Sequence, residues 1–225
     1  MGEKSLTIDK LSDDARKIVE ELIEGNKKFI EGKNTADLSQ KKREELLKGQ
    51  FPIATILTCS DSRVVPEYIF NQGLGRLFIV RSAGEVIDDI NLASLEYGVE
   101  HLKTPVLIVL GHTYCGAVSS AVSKGHVHGH LPSLIERIDD KVEICKQFEC
   151  GTKEEFMNDV IKENALEIAE SLPLISEIID EAVKSNKTTI VVGMYYLETG
   201  KVEFLIDTKS HLLSLKQKNQ ECQGA

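Results

Sequence analysis

PIATILTCSDSR, residues 52–63, opens with a short, apolar, partly β-branched run and closes on a polar loop. A run of that length and texture reads as a strand buried on both faces. The same texture returns in LFIV (Leu77 to Val80), PVLIVLG (Pro105 to Gly111) and TTIVVGMYYL (Thr188 to Leu197). After a Glu-Thr-Gly turn it returns again in VEFLI (Val202 to Ile206). Helical spacing runs over Asp89 to Leu102, Cys115 to Lys124, Leu131 to Phe148, and about Glu154 to Ser185 with an interruption at Pro173. Strands that alternate with helices need crossover connections. The pattern therefore predicts an α/β fold with a mainly parallel central β-sheet flanked by helices, and VEFLI as an antiparallel edge.

Upstream, Ala15, Ile18, Val19, Leu22, Ile23, Phe29 and Ile30 recur at three- and four-residue steps, with Ser12 placed as N-cap and Gly32 as stop. A second, shorter helix is predicted over Leu38 to Leu47, ending at Gly49. The 225 residues suit one domain: a helical arm over 1–50, the α/β core over 51–210 and a fraying tail over 211–225. No run approaches the roughly 20 apolar residues of a membrane span, and the first thirty residues lack the pattern of a secretory signal, so a cytoplasmic address is expected. A net charge of −9 disfavours a nucleic-acid partner, because phosphate neutralisation needs a concentrated basic face. Five cysteines, an odd number, favour metal binding or buried thiols over a disulfide framework.

Two motifs directly follow two of the strands: CSDSR at 59–63 and GHTYCGA at 111–117. In a parallel α/β sheet, ligands gather at the carboxyl ends of strands, where loops bring distant residues together. The motifs offer Cys59, Asp61, His112 and Cys115, a borderline-soft set of two thiolates, one imidazole and one carboxylate that suits tetrahedral Zn²⁺. Either motif alone is equally explained by a buried thiol near a histidine bonded to a backbone carbonyl.

With both motifs in this order, the chain resembles the β-carbonic anhydrase family, whose zinc motifs are C-x-D-x-R and H-x-x-C. The likeness extends to LIEGNKKFIEG, PEYIFNQGLGRLFIVRSAG, LASLEYGVEHL and VVGMYYLETGKVEFL. It implies three firm zinc ligands, Cys59, His112 and Cys115, and an Asp61 that is either a fourth ligand or the partner of Arg63. A catalytic zinc needs an open position for water. Asp61 on the metal would close it, and Arg63, two residues along the loop, would open it by holding the carboxylate as a bidentate pair. The implied reaction is reversible hydration of CO₂ to bicarbonate and a proton, with zinc-bound hydroxide as nucleophile. Strong donation by thiolates leads us to expect activity that rises on the alkaline side of neutrality.

The resemblance further assigns Gln50 and the backbone N–H of Gly116 as donors to bicarbonate, and Phe78, Ala83 and Tyr97 to a CO₂ pocket partly built by a neighbouring subunit. It implies N-terminal helices that wrap a partner, hence a homodimer or tetramer. Two residues depart from common family patterns: Ser82 where many relatives have Asn, and Ile56 where bicarbonate-inhibited relatives carry Trp. Rival readings are a CS₂ or COS hydrolase on the same zinc site and a non-catalytic protein with structural zinc. His126, His128 and His130 in GHVHGH read as a solvated loop, Cys145 and Cys150 as free thiols near a helix end, and Cys222 as a thiol with no visible partner.

Overall fold

The computed structural model describes residues 11–205 and 208–223. Its centre is a five-stranded sheet built from β1 (Ala54–Cys59), β2 (Leu77–Ser82), β3 (Val106–His112), β4 (Thr189–Tyr195) and β5 (Val202–Leu205), in the order β2-β1-β3-β4-β5. The first four strands are parallel, and β5 pairs antiparallel with β4 through Tyr195↔Val202 and Val192↔Leu205. The predicted mainly parallel sheet with an antiparallel edge is thus the observed one; Ile206, the last residue of the predicted edge, lies outside the described residues.

The apolar runs carry no alternation in composition because both faces of the sheet are covered. Along β3, Val106, Ile108 and Leu110 enter a cluster with Ala15, Val19 and Leu22 of α1 (Asp13–Ile30), while Leu107 and Val109 enter another with Ala165, Leu166 and Ala169 of α7 (Lys153–Ile175). Each such fully buried Leu, Ile or Val stabilises the fold by about 1.5–3 kcal/mol relative to exposure. Helix α1 starts where Ser12 accepts a hydrogen bond from the Ala15 N–H at 3.4 Å, and it carries Asp13 and Asp14 in its first turn and Lys27 and Lys28 in its last, matching the helix dipole. Its Asn26 side chain donates to the carbonyls of Ile69 (3.1 Å) and Gly200 (2.8 Å) and accepts from Val202 N–H (2.9 Å). That clamp ties α1 to the sheet of its own chain.

The other helices are α2 (Gln40–Leu46), α3 (Pro66–Ile69), α4 (Asp89–Glu96, continued by a π-helical turn over Tyr97–His101), α5 (Gly116–Ser123), α6 (Leu131–Lys146), α8 (Glu177–Lys184) and α9 (Thr208–Gln223). Three depart from the sequence reading. The four-residue α3 went unpredicted. Pro173 does not break its helix: α7 runs through it to Ile175, and the break falls at Ser176. There the backbone turns extended, and the Ser176 hydroxyl caps α8 at Ile179 N–H (3.2 Å) and donates to Glu96 (2.7 Å). The predicted fraying tail over 211–225 is helical in α9 as far as Gln223, with Leu215 buried against Phe156 and Val160 of α7. Cys150 and Cys222, read as unpartnered thiols, form a disulfide, whereas Cys145 is a buried free thiol.

Candidate metal centre

Because β1 and β3 are adjacent and parallel, their last residues emerge side by side. Cys59 closes β1 and His112 closes β3, both buried. Three residues after His112 the chain enters α5 with Cys115, fully buried at the N-cap, after Tyr114 has taken a left-handed turn (φ 58°). One donor atom from each of the three lies within 4.8 Å of the others, and the two sulfurs are 4.0 Å apart. Among the described residues no other trio of His, Cys, Asp or Glu comes so close. His126 and His128 stack edge to face at 5.3 Å but form no such cluster with His130.

The ring of His112 is oriented for ligation. Its Nδ1 lies 2.8 Å from the carbonyl of Thr113, and since a carbonyl only accepts, Nδ1 carries the proton. Nε2 is left with a lone pair, buried, with no hydrogen-bond partner among the described residues. An orphaned buried acceptor of this kind costs about 1–3 kcal/mol, a penalty that a metal ion removes. Thr113 is itself fixed: its N–H donates to the Tyr195 carbonyl (2.9 Å), its hydroxyl donates to Glu198 (2.8 Å) and it accepts from Leu197 N–H (2.9 Å). The loop that aims His112 is therefore braced by the β4–β5 turn.

Asp61 is turned to Arg63. Its carboxylate accepts from Nε at 2.9 Å and from a terminal guanidinium nitrogen at 2.7 Å, and also from the Arg63 backbone N–H at 2.9 Å. These bonds hold its carboxyl well below the usual carboxylate range. Arg81, which the sequence reading does not single out, donates to the carbonyls of Cys59 (3.1 Å), Asp61 (2.7 Å) and Val64 (2.8 Å), so one guanidinium braces the CSDSR loop.

The thiols are electrostatically unequal. A hydrogen bond with Cys115 is the largest influence lowering the Cys59 thiol, helped by His112 and by the Gly84 N–H, which points at its sulfur from 3.3 Å. Cys115, the other member of the pair, is pushed up. Gly84 takes a left-handed conformation (φ 64°) in the turn over Ala83–Glu85, and a Cβ there would meet Ile138 Cδ1 at 2.9 Å. Next to it Glu85 is buried, with neither carboxylate oxygen bonded among the described residues; burial, then the charge of Cys59, raises it well above the usual carboxylate range. Nothing in the sequence marks Gly84 or Glu85 beyond a small-residue turn after a strand.

The remaining assigned residues are dispersed around this centre. Phe78 of β2 and Tyr97 at the start of the π-helical turn meet with ring centroids 5.9 Å apart, and Tyr97 is partly exposed. Ala83 opens the turn that carries Gly84. Gly116 is the first residue of α5, where backbone N–H groups lack intrahelical partners, and a Cβ on it would meet nothing within 4 Å. Gln50 is exposed on the loop between α2 and β1.

A Cys–His–Cys set at the carboxyl edge of a mainly parallel, helix-covered sheet makes this an α/β protein with a cluster that fits zinc. Residues 54–202 match the family described as carbonic anhydrase. The chain is 35% identical over 196 residues to the carbonic anhydrase of Mycolicibacterium smegmatis, covering 85% of this chain and 91% of the relative. It is 36% identical over 185 residues to carbonic anhydrase 2 of Mycobacterium tuberculosis, covering 80% and 87%. Among solved structures, the β-carbonic anhydrase CcaA superposes with a TM-score of 0.64 at 26% identity, over 82% of this chain and 93% of that one. The fold is also shared with a tetrameric β-carbonic anhydrase of Sordaria macrospora, with a TM-score of 0.68 at 23% identity, over 72% and 85%. The chain belongs to the β-class carbonic anhydrase family and is a carbonic anhydrase.

Proposed function

We propose that the chain binds Zn²⁺ through Cys59, His112 and Cys115 and uses it for the reversible hydration of CO₂ to bicarbonate and a proton. The observation that carries this reading is the orphaned, buried Nε2 of His112 beside two buried sulfurs, with Asp61 bonded to Arg63. Zn²⁺ held there would acidify water to give a hydroxide nucleophile at working pH and act as a Lewis acid toward the product. The chain supplies the rest. Arg63 keeps the Asp61 carboxylate occupied and so gates the fourth position. The Gly84 N–H and the Arg81 clamp orient the Cys59 sulfur. The Gly116 N–H at the start of α5 and the Gln50 amide are the donors proposed for bicarbonate, where developing negative charge is best met by preset N–H groups. Phe78, Tyr97 and Ala83 form the apolar wall proposed for CO₂.

The proposed assembly is a homodimer or tetramer of this chain. Leu47 (86% exposed) and Phe51 (79%) beside the N-terminal arm leave apolar surface that a second copy would cover. The Sordaria macrospora protein that shares the fold is tetrameric. Among the described residues no helix is long and apolar enough to cross a membrane.

Metal analysis joined to a CO₂ hydration assay tests the reading. Purified protein should carry about one zinc per chain and hydrate CO₂, and Cys59→Ser should lose both together. Zinc retained in full by Cys59→Ser, or hydration that persists without metal, would overturn it.

A further inference from the structure

We propose that Cys150 and Cys222 form a redox-controlled staple that governs the docking of the C-terminal helix. The inference stands apart from the zinc chemistry. The bridge joins the α6–α7 turn to the last turn of α9, across 72 residues of sequence, with Cα atoms 6.5 Å apart. The other ties of α9 among the described residues are non-covalent. Among its described side chains Leu215 is the buried apolar one, with Leu212 packed partly beside it. The polar anchors are Lys218 to Asp159 at 3.4 Å, Asn219 to the Gln147 carbonyl at 3.3 Å, Lys216 over the Phe148 ring at 5.7 Å, and a buried approach of His211 to Glu163 at 3.9 Å. His211 adds a bond to the Asp159 carbonyl at 3.1 Å. A 16-residue helix is marginal in water without docking, and a covalent tie that closes a long loop adds a constraint that the non-covalent contacts do not supply.

The tie is also reachable. Cys222 is exposed and Cys150 partly so, in contrast to Cys59, Cys115 and Cys145, which are buried. Closure converts two thiols to one disulfide: each gives up its proton, and the two electrons reduce a small-molecule disulfide such as oxidised glutathione to two thiols. A thiolate of a reductant attacking the exposed sulfur reverses the exchange.

The test uses zinc-loaded full-length chain, poised with oxidised glutathione or with a phosphine reductant. Peptide mass mapping should find the oxidised linkage between the peptides holding Cys150 and Cys222. Amide exchange over residues 208–223 should slow at least about tenfold on oxidation, and the unfolding midpoint should rise by roughly 5 °C or more. Cys222→Ser should abolish both differences and match the reduced chain. The proposal fails if no 150–222 linkage forms, if it forms while exchange and midpoint stay unchanged, or if Cys222→Ser keeps the redox dependence.

Discussion

Arg63 engages Asp61 as a fork, with Nε to one carboxylate oxygen at 2.9 Å and a terminal nitrogen to the other at 2.7 Å, while the same terminal nitrogen reaches the Tyr114 carbonyl at 3.2 Å. The pair thus spans both motif loops, since Tyr114 precedes Cys115. A bidentate, charge-assisted pair is among the stronger side-chain interactions, and it engages both oxygens of the Asp61 carboxylate. Arg63→Ala should release Asp61. The variant is expected to retain zinc and to lose at least about tenfold in CO₂ hydration, read by metal quantification beside stopped-flow rates. Lysine, a point charge without the fork, should rescue only part of the loss.

Metal and fold should be linked. The buried Nε2 of His112 and the two sulfurs converge only in the native state, so zinc that binds there stabilises the folded chain by mass action. Removing the metal with a chelator should lower the unfolding midpoint, and returning zinc should restore it. Cys115→Ser should show no zinc-dependent shift.

Gly84 joins a backbone constraint to the centre. Its left-handed φ of 64° and the 2.9 Å approach of Ile138 to a Cβ placed there make alanine costly, by about 1–3 kcal/mol. Its N–H also points at the Cys59 sulfur. Gly84→Ala should therefore lower both thermal stability and zinc affinity, measured by unfolding and by competition with a chelator. A loss of stability with unchanged zinc affinity would separate the two roles.

Glu163 sets a pH dependence. Burial above all, then Glu167 and Glu170, raises its carboxyl to about 7, while Lys141 acts in the opposite direction and His211 faces it at 3.9 Å. A carboxyl raised on folding binds its proton more tightly in the native state. Its contribution is complete below the ordinary carboxylate range and is lost as pH rises through about 7. Unfolding midpoints should fall as pH rises from about 4.5 to about 7, by an amount worth on the order of 1–3 kcal/mol, and level off above that. Glu163→Gln should flatten that slope and be the more stable protein at the alkaline end.

The sheet was legible because its runs are long, apolar and bounded: β1, β3 and β4 fall inside the predicted segments, with His112 added to the end of β3. Helix α1 was legible from Ser12 and its spacing. Helix α3 was not, since four residues make one turn and leave no period to detect. Pro173 misled because a proline inside a helix ordinarily breaks it, yet α7 continues two residues past it, whereas Ser176 carries the capping chemistry that ends one helix and starts the next. Helix α9 lacks an apolar stripe and reads as a tail; its docking through Leu215 and Cys222 is tertiary. At the centre, Cys59, His112 and Cys115, at or just after the ends of β1 and β3, were visible in two short motifs. The supports were not. Arg81, Gly84 and Glu85 act through backbone carbonyls, a left-handed turn and burial, none of which leaves a mark in residue order.

Stopped-flow CO₂ hydration by zinc-quantified wild-type chain, followed from neutral to alkaline pH, tests the central claim most directly. The account predicts turnover that scales with bound zinc and rises with pH. Full zinc occupancy with no hydration at any pH would show that the Cys59–His112–Cys115 centre is structural and contradict it.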